Sequence, residues 1–429
     1  MSRDTGSGTR QCGRAGAPPQ ALSRTTAVSN HMRNSTNYIL FIGTLLTSFG
    51  YGATFLLTEH FRALGGSEIE TGTTLGGAML GTLIGVPLVG WFATRLGAAR
   101  LAALGAIFVA YGYMGLLTLS AVTAWIGVAG FFIGLGWGIF YLAAPMALSV
   151  RVTDAERGFW FTRFGAFMMG GIGLSPIVAT LLITKLGLTT GQAFFAVTLC
   201  CVLSALLLLA FEFLAPPARA ATQARSDDWV RALPVLMRSR AIYPILMVGL
   251  GACVFTGLLT FQTSLVRGSG LQASTFFGAY ALTVVASRFT LAPVIGRADG
   301  DRTAILLLVL MSFGVVTAFG FSQGIIVQIA SAVLLGLGYG LAYSVIQTQA
   351  VNDAPPEHRN AALTWFVIAY FIGIFGFPVF GAWLIVTAGT AWFLTAVLVF
   401  ALAELILAWM RVRLVAATGP SRPYRLGGG

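Results

Sequence analysis

Charge is scarce in this chain: only 9% of its 429 residues are Asp, Glu, Lys or Arg, while 57% are hydrophobic and the mean hydropathy is +0.84. So little polar surface cannot clothe a soluble core of this size, and the apolar remainder requires lipid. The four cysteines, Cys12, Cys200, Cys201 and Cys253, have no metal-ligand spacing and three of them fall in apolar runs. That excludes a disulfide framework and a zinc module. A phosphate-binding Gly-x-x-x-x-Gly-Lys-Ser/Thr loop, a His-Glu-x-x-His pair and a Gly-x-Ser-x-Gly elbow are all missing. No enzyme, cofactor or metal site is therefore expected, and work driven by ATP within this chain is disfavoured. No cleavable signal is expected either, because the first apolar run is too long for a signal h-region.

What is present is a series of long apolar runs. A helix needs roughly 20 apolar residues to cross a hydrocarbon core of about 30 Å. Twelve runs meet this, at about 37–59, 71–93, 101–119, 123–148, 160–183, 191–213, 243–265, 274–295, 303–321, 324–348, 362–386 and 390–410. The fold class is thus all-α integral membrane. Of the 26 Lys and Arg residues, 21 fall on the side of the chain ends, only Arg62, Lys185 and Arg267 fall on the other, and Arg163 and Arg288 lie within spans. This asymmetry follows the positive-inside rule and places both termini in the cytoplasm of a cell (inner or plasma) membrane protein. It also removes the nucleic-acid reading that a net charge of +12 invites in a soluble protein.

The chain repeats itself. Gly134-Leu135-Gly136-Trp137-Gly138-Ile139-Phe140-Tyr141 returns 202 residues later as Gly336-Leu337-Gly338-Tyr339-Gly340-Leu341-Ala342-Tyr343, and the same offset pairs Arg95 with Arg297, Arg100 with Arg302, Arg157 with Arg359 and Pro176 with Pro378. Matched arginines flanking matched spans require one orientation for both copies, the geometry of parallel-repeat transporters. The organisation expected is a disordered tail over 1–36, a six-helix bundle over 37–213, a linker over 214–242, a second bundle over 243–411 and a tail over 412–429. Met32 stands just before the first span, which leaves open whether residues 1–31 belong to the native protein. Within the linker, Trp229 to Arg240 mixes apolar residues with three arginines and reads as a short helix at the headgroup layer, or as a solvated connection.

These residues resemble the major facilitator superfamily, drug:proton antiporter-like branch, over about 37–412. The family signature G-x-x-x-D-R-x-G-x-x-R between spans 2 and 3 is similar to Gly90-Trp91-Phe92-Ala93-Thr94-Arg95-Leu96-Gly97-Ala98-Ala99-Arg100, and its second copy reads Ala292 to Arg302. The arginines keep register, but Thr94 and Gly296 replace the acid that the family is thought to use as a cytoplasmic latch, and Asp299 sits three positions later. A second signature is similar to Gly171-Ile172-Gly173-Leu174-Ser175-Pro176 in span 5 and Gly373-Ile374-Phe375-Gly376-Phe377-Pro378 in span 11. In the antiporter branch this element is associated with export. A third, an arginine in span 4 linked to proton coupling, is replaced by Gly130. Gly90, Arg95, Gly97, Arg100, Pro176, Arg297, Asp299 and Pro378 are thus the gating and hinge residues that the resemblance implies.

The resemblance lines a cavity with spans 1, 4, 7 and 10. Thr44, Thr47, Ser48, Tyr51 and Thr58 form a polar stripe in span 1, and Cys253, Thr256, Thr260 and Thr263 another in span 7. The pairs Trp137 with Tyr141 and Tyr339 with Tyr343 each share a helix face, and with Gln347 they would clamp an apolar or aromatic solute. Packing within each bundle is the plainer reading. Charges within lipid are costly and point to function: Arg288 lies roughly 12 Å into span 8 at 1.5 Å per residue, and Glu404 lies near the middle of span 12. Coupling candidates are Arg288, Glu404, and Glu59 with His60 at the outer mouth. The expected function is proton-coupled efflux of a small, partly hydrophobic drug or metabolite by alternating access, acting as a monomer in the lipid bilayer. An importer or symporter of a small organic acid is the first alternative, favoured by Arg288, and a transporter-like sensor without flux the second.

Overall fold

The computed structural model describes residues 19–118, 123–215, 228–295 and 298–418, and among them there is helix and no strand. Eleven described helices are long and apolar enough to cross a membrane. Spans 1 to 6 are Thr36–Ala63, Glu68–Ala93, Ala98–Leu117, Trp125–Ser149, Glu156–Leu186 and Thr190–Leu214. Span 7 is Ile242–Thr260, and spans 9 to 12 are Gly300–Ala318, Ile325–Asp353, Pro356–Ala388 and Thr390–Leu414. The helix Ala273–Thr290 takes the place of span 8, packed between spans 5 and 10. Only 18 residues long, it is diluted by Arg288 and by hydroxyl side chains, which is why it is the least membrane-like of the set.

Local chemistry sets the boundaries. Ser67 caps span 2 through the Ile69 amide while Glu70 reaches back to the Ser67 amide, a capping box that Thr189 and Gln192 repeat at span 6. Gly97, at φ +86°, ends span 2 in a backbone region closed to most side chains. Ahead of span 1 the helix already begins at Pro19, so residues 19–36 are helical where disorder is expected. Proline suits a first helical turn, and the mostly polar stretch behind it runs without a break into the apolar helix of span 1. Residues 1–18 lie outside the described residues, as do Arg219 and Arg225 of the linker and Arg422 and Arg425 of the C-terminal tail. The linker helix forms over Asp228–Arg238. It buries Ala232 and Leu236, and its Trp229 carbonyl accepts a 2.9 Å bond from Trp365 Nε1 of span 11.

Alternating spans define two faces, a terminal face toward the chain ends and a far face opposite. The two halves meet along spans 5 and 8 and along spans 2 and 11. Each half is a six-helix bundle in the arrangement that the repeat implies, but the halves are not packed equally tightly. In span 2, Gly77 and Gly81 recur every four residues against the Gly127 and Phe131 carbonyls of span 4, and Gly130 and Gly134 answer against the Thr74 and Ala78 carbonyls. This interlocked small-residue ladder brings the two backbones into contact. At the equivalent places in span 8 stand Ala279 and Thr283, so spans 8 and 10 stand further apart.

The ladder explains the missing arginine of span 4. A Cβ on Gly130 would fall 1.8 Å from the Thr74 carbonyl oxygen. No side chain fits there. Gly130→Arg is expected to cost about 3 kcal/mol or more, the upper end for overpacking a core, and to lower the yield of monodisperse protein several-fold in size-exclusion chromatography rather than supply a coupling group.

The paired prolines also diverge. Pro176 lies inside one continuous helix, Asp154–Leu186, whereas a π-helical turn over Ile372–Gly376 precedes Pro378. There Gly373 is pressed against span 7, where a Cβ would meet the Gly249 carbonyl oxygen at 2.2 Å. π-turns interrupt helices where local geometry is being used.

Candidate functional site

The looser packing of spans 8 and 10 leaves room for side chains. A cavity of about 260 Å³ lies between spans 4, 5, 8, 10 and 11, nearer the terminal face, and Tyr141, Tyr280, Tyr339, Tyr343, Tyr370 and Gln347 line it with Arg288. Arg288 is the single charged group among its described lining residues, which include no carboxylate. Its Nη2 donates to the Gly340 carbonyl at 3.3 Å, and its buried Nε has no partner. The counterpart of Arg288 in span 2 is Val86, which is buried. The charge therefore belongs to one half only, and so does the asymmetry of the site.

Of the residues expected to meet the solute, Tyr141, Arg288, Tyr339, Tyr343 and Gln347 line the cavity. The others do not. Thr47 is fully buried, its hydroxyl 2.7 Å from that of Ser204 in span 6, because its face of span 1 points into the bundle. Thr256 is buried and pairs with Thr260 at 3.1 Å. Tyr51 and Trp137 stack on each other at 4.6 Å, deeper than the cavity. For Trp137 the shared helix face holds, but one helical turn puts it in the packed layer instead of the open one.

That packed layer closes the far side. Phe55 stacks on Phe277 at 5.9 Å and Phe255 on Tyr339 at 4.7 Å. Beyond it, the Thr58 hydroxyl donates to the Thr260 carbonyl at 3.3 Å. At the far face Arg62 pairs with Glu68 and donates to Ser264 at 2.8 Å, while the Ser264 hydroxyl donates to Glu68, also at 2.8 Å. Three of these cross-contacts, Thr58 with Thr260, Arg62 with Ser264, and the 2.6 Å bond between the Tyr141 and Tyr343 hydroxyls, join residues 202 positions apart. Equivalent positions of two repeats touch each other only on the axis that relates them. The axis of the molecule thus runs through the tyrosine pair and the far-face latch.

Glu59 and His60 do not form a relay. His60 is buried against Phe194, with Nδ1 3.1 Å from the Thr190 hydroxyl, and Glu59 is partly exposed. Both lie at the far face, away from the cavity. The implied gate residues are spread as well. Gly90 is exposed, Arg95 lies over Trp91 and Arg100 over Phe213, so both arginines pack on aromatic rings of their own half. Asp299 caps span 9 through the Asp301 and Arg302 amides and is exposed, which makes it a helix cap and not a latch. Arg297 lies outside the described residues. Glu404 is buried between spans 12 and 7, outside the cavity lining.

Terminal-face ion pairs went unforeseen. Arg151 pairs with Glu212 in the first half, and Arg411 pairs with Asp353 at 2.6 Å and with Asp301 in the second. Arg151 and Asp353 occupy the same repeat position with opposite charge. Each cluster stays inside its own half. The tyrosines at 280 and 370 were also unforeseen, although Tyr280 stands eight residues before Arg288, about two turns away on the same helix face.

The sequence model described as Major Facilitator Superfamily matches residues 40–375 and 266–426. Uncharacterized MFS-type transporters of Pseudomonas aeruginosa strains LESB58 and PAO1 are each 31% identical over 117 residues, which is 27% of this chain and 29% of theirs. The matched segment thus spans under a third of the curated relatives' length. Among solved structures, an auto-inhibited POT family peptide transporter superposes with a TM-score of 0.69 at 13% identity, covering 92% of this chain and 99% of that one. The nucleoside transporter NupG does so with a TM-score of 0.69 at 16% identity, covering 88% and 99%. At such identities the likeness is one of fold.

Proposed function

This chain belongs to the Major Facilitator Superfamily and is a multi-pass secondary transporter, and we propose that its solute is a small anionic or zwitterionic molecule with an apolar or aromatic body. One observation carries this: Arg288 faces a tyrosine-rich cavity whose described lining residues include no carboxylate. A guanidinium presents a planar fork that matches a carboxylate, tyrosine rings add apolar area and tyrosine hydroxyls add polar contacts. The volume of about 260 Å³ is close to the lower end of the usual ~300–1,000 Å³ range for ligand sites, which suits a solute of about one ring.

In this reading the bundle rocks about its axis, with the far-face latch and aromatic layer closed while the cavity serves the terminal face. Both termini lie in the cytoplasm of the cell membrane, as the arginine distribution supports, and the monomer is the working unit. We read the direction as efflux in exchange for protons, supported by the glycine-proline elements of spans 5 and 11. Uptake of a small organic acid is the second reading, favoured by Arg288, for which no ion pair appears among the described residues.

The test is accumulation by intact cells, with and without the protein, of paired labelled probes: aromatic carboxylic acids and their methyl esters, each repeated with an uncoupler. Lowered accumulation of the acids alone, abolished by the uncoupler, is the expected result. Raised accumulation replaces efflux with uptake. Equal handling of acids and esters, or movement of cations alone, overturns the solute class.

A further inference from the structure

A buried stripe runs down span 12 through Val397, Ala401, Glu404, Ala408 and Arg411, spaced alternately by four and three residues. Such a stripe is the face a helix turns to its neighbours. Arg411, at its terminal-face end, is answered by Asp353 and Asp301. Glu404 sits in the centre with 1% of its surface exposed, no ion pair appears for it among the described residues, and its Oε2 has no hydrogen-bond partner. Its carboxyl lies flat against span 7: a Cβ built on Gly251 would stand 2.8 Å from each carboxyl oxygen.

The first half shows what an ordinary contact at this place looks like. Ser204 stands fourteen residues after the threonine that opens its helix, as Glu404 does after Thr390. The Ser204 hydroxyl is fully used, donating to the Gly43 carbonyl at 2.6 Å and lying 2.7 Å from Thr47 Oγ1 of span 1. The second half puts a carboxyl at the corresponding place, with no cation beside it among the described residues. Helix packing alone does not call for it, since the serine does the same work at lower cost. Burying an uncompensated carboxylate is far costlier than taking up a proton.

We propose that Glu404 is the proton-carrying site of the transport cycle, set behind span 7 and separate from the solute cavity. This rests on the proton-coupled reading above and deepens it. The titratable groups facing Glu404 are Cys253 on span 7 and Tyr339 on span 10, both within electrostatic reach. On its own helix Arg411 lies two turns away, already held by Asp353 and Asp301 of spans 10 and 9. Tyr339 is the connection to the solute: it lines the cavity, its hydroxyl also lacks a partner, and its ring is stacked on Phe255, one turn beyond Gly251. The far end of span 7 carries the Thr260 carbonyl that closes on Thr58. One helix therefore touches the proton site, the cavity wall and the far-side closure. In the step proposed, the O–H bond of the carboxyl breaks, the proton passes to water on the face to which the bundle opens, and the electron pair stays on the carboxylate. That charge needs donors which the present packing does not supply, and span 7 must shift to provide them.

The test needs no solute. Infrared difference spectra of the full chain in lipid, taken between about pH 5 and about pH 9, are expected to show a buried protonated-carboxyl band in the wild type that Glu404→Gln removes entirely. Glu404→Asp is expected to keep the band at a displaced frequency, which shows that the loss in glutamine is not a folding defect. Absence of the band in the wild type, or its persistence in Glu404→Gln, overturns the assignment. If the band is absent while probe movement still depends on the proton gradient, coupling lies elsewhere and the transport reading stands. If the band is present while no probe moves, the proton site stands and the solute class falls.

Discussion

Replacing Arg288 by glutamine is expected to reduce transport of a carboxylate probe by about 30-fold or more while leaving the protein folded. Removing one partner of a buried charged contact costs about 2–5 kcal/mol, which is roughly 30- to 5,000-fold in the ratio of turnover to half-saturation. Stability should change little, because the only hydrogen bond described for the guanidinium is the long one to Gly340, at 3.3 Å. Arg288→Lys keeps the charge but loses the planar fork, so a smaller loss of about 10-fold is expected. The measurement is initial-rate flux in proteoliposomes holding matched amounts of each variant, with the methyl ester of the probe as a control. Equal rates for wild type and Arg288→Gln would remove the anion reading. A loss confined to folded yield would make Arg288 structural.

The repeat makes this asymmetry interpretable. An offset of 202 residues predicted two parallel bundles, and the structure shows its consequence in the three equivalent pairs that meet on the axis. Which positions lie on the axis is set by helix rotation and tilt, properties of the packed bundle that no single span encodes. Rotation also separates Thr47, turned into the bundle, from Tyr141, turned to the cavity, although both are polar residues recurring at helical spacing. Depth was the second illegible quantity: Trp137 shares its face with Tyr141 but lies in the packed aromatic layer. The glycine ladder of spans 2 and 4 was visible as glycine-rich strings, but its effect on the site runs through the other half. Where Gly77 and Gly81 are replaced by Ala279 and Thr283, the helices part and Arg288 gains its place. The terminal-face clusters are not legible in the repeat, because Arg151 and Asp353 share a repeat position with opposite signs.

Glu68→Ala is expected to open the far face. The terminal-face ion pairs lie within single halves, so they stiffen each bundle and survive its rotation, whereas Arg62, Glu68 and Ser264 form a network that spans both halves. Only the second kind biases the equilibrium between conformations, because only it is made in one state and broken in the other. Within that network the Arg62–Glu68 pair lies inside the first half, so what Glu68→Ala removes between the halves is the bond from the Ser264 hydroxyl to the carboxylate, a hydrogen bond to a charged group worth about 1.5–3 kcal/mol and somewhat less where that side chain is 9% exposed. About 1–3 kcal/mol remains, equivalent to roughly 5- to 150-fold in the population open to the far side. A cysteine placed at Thr260 reports it, since the Thr58 bond there is to the backbone carbonyl and survives the exchange. Membrane-impermeant maleimide added from the far side should label Thr260→Cys at least about 5-fold faster in the Glu68→Ala background. Unchanged labelling would mean that the aromatic layer of Phe55, Phe277, Phe255 and Tyr339 alone keeps the far side shut, and that the latch is a consequence of closure and not a cause of it.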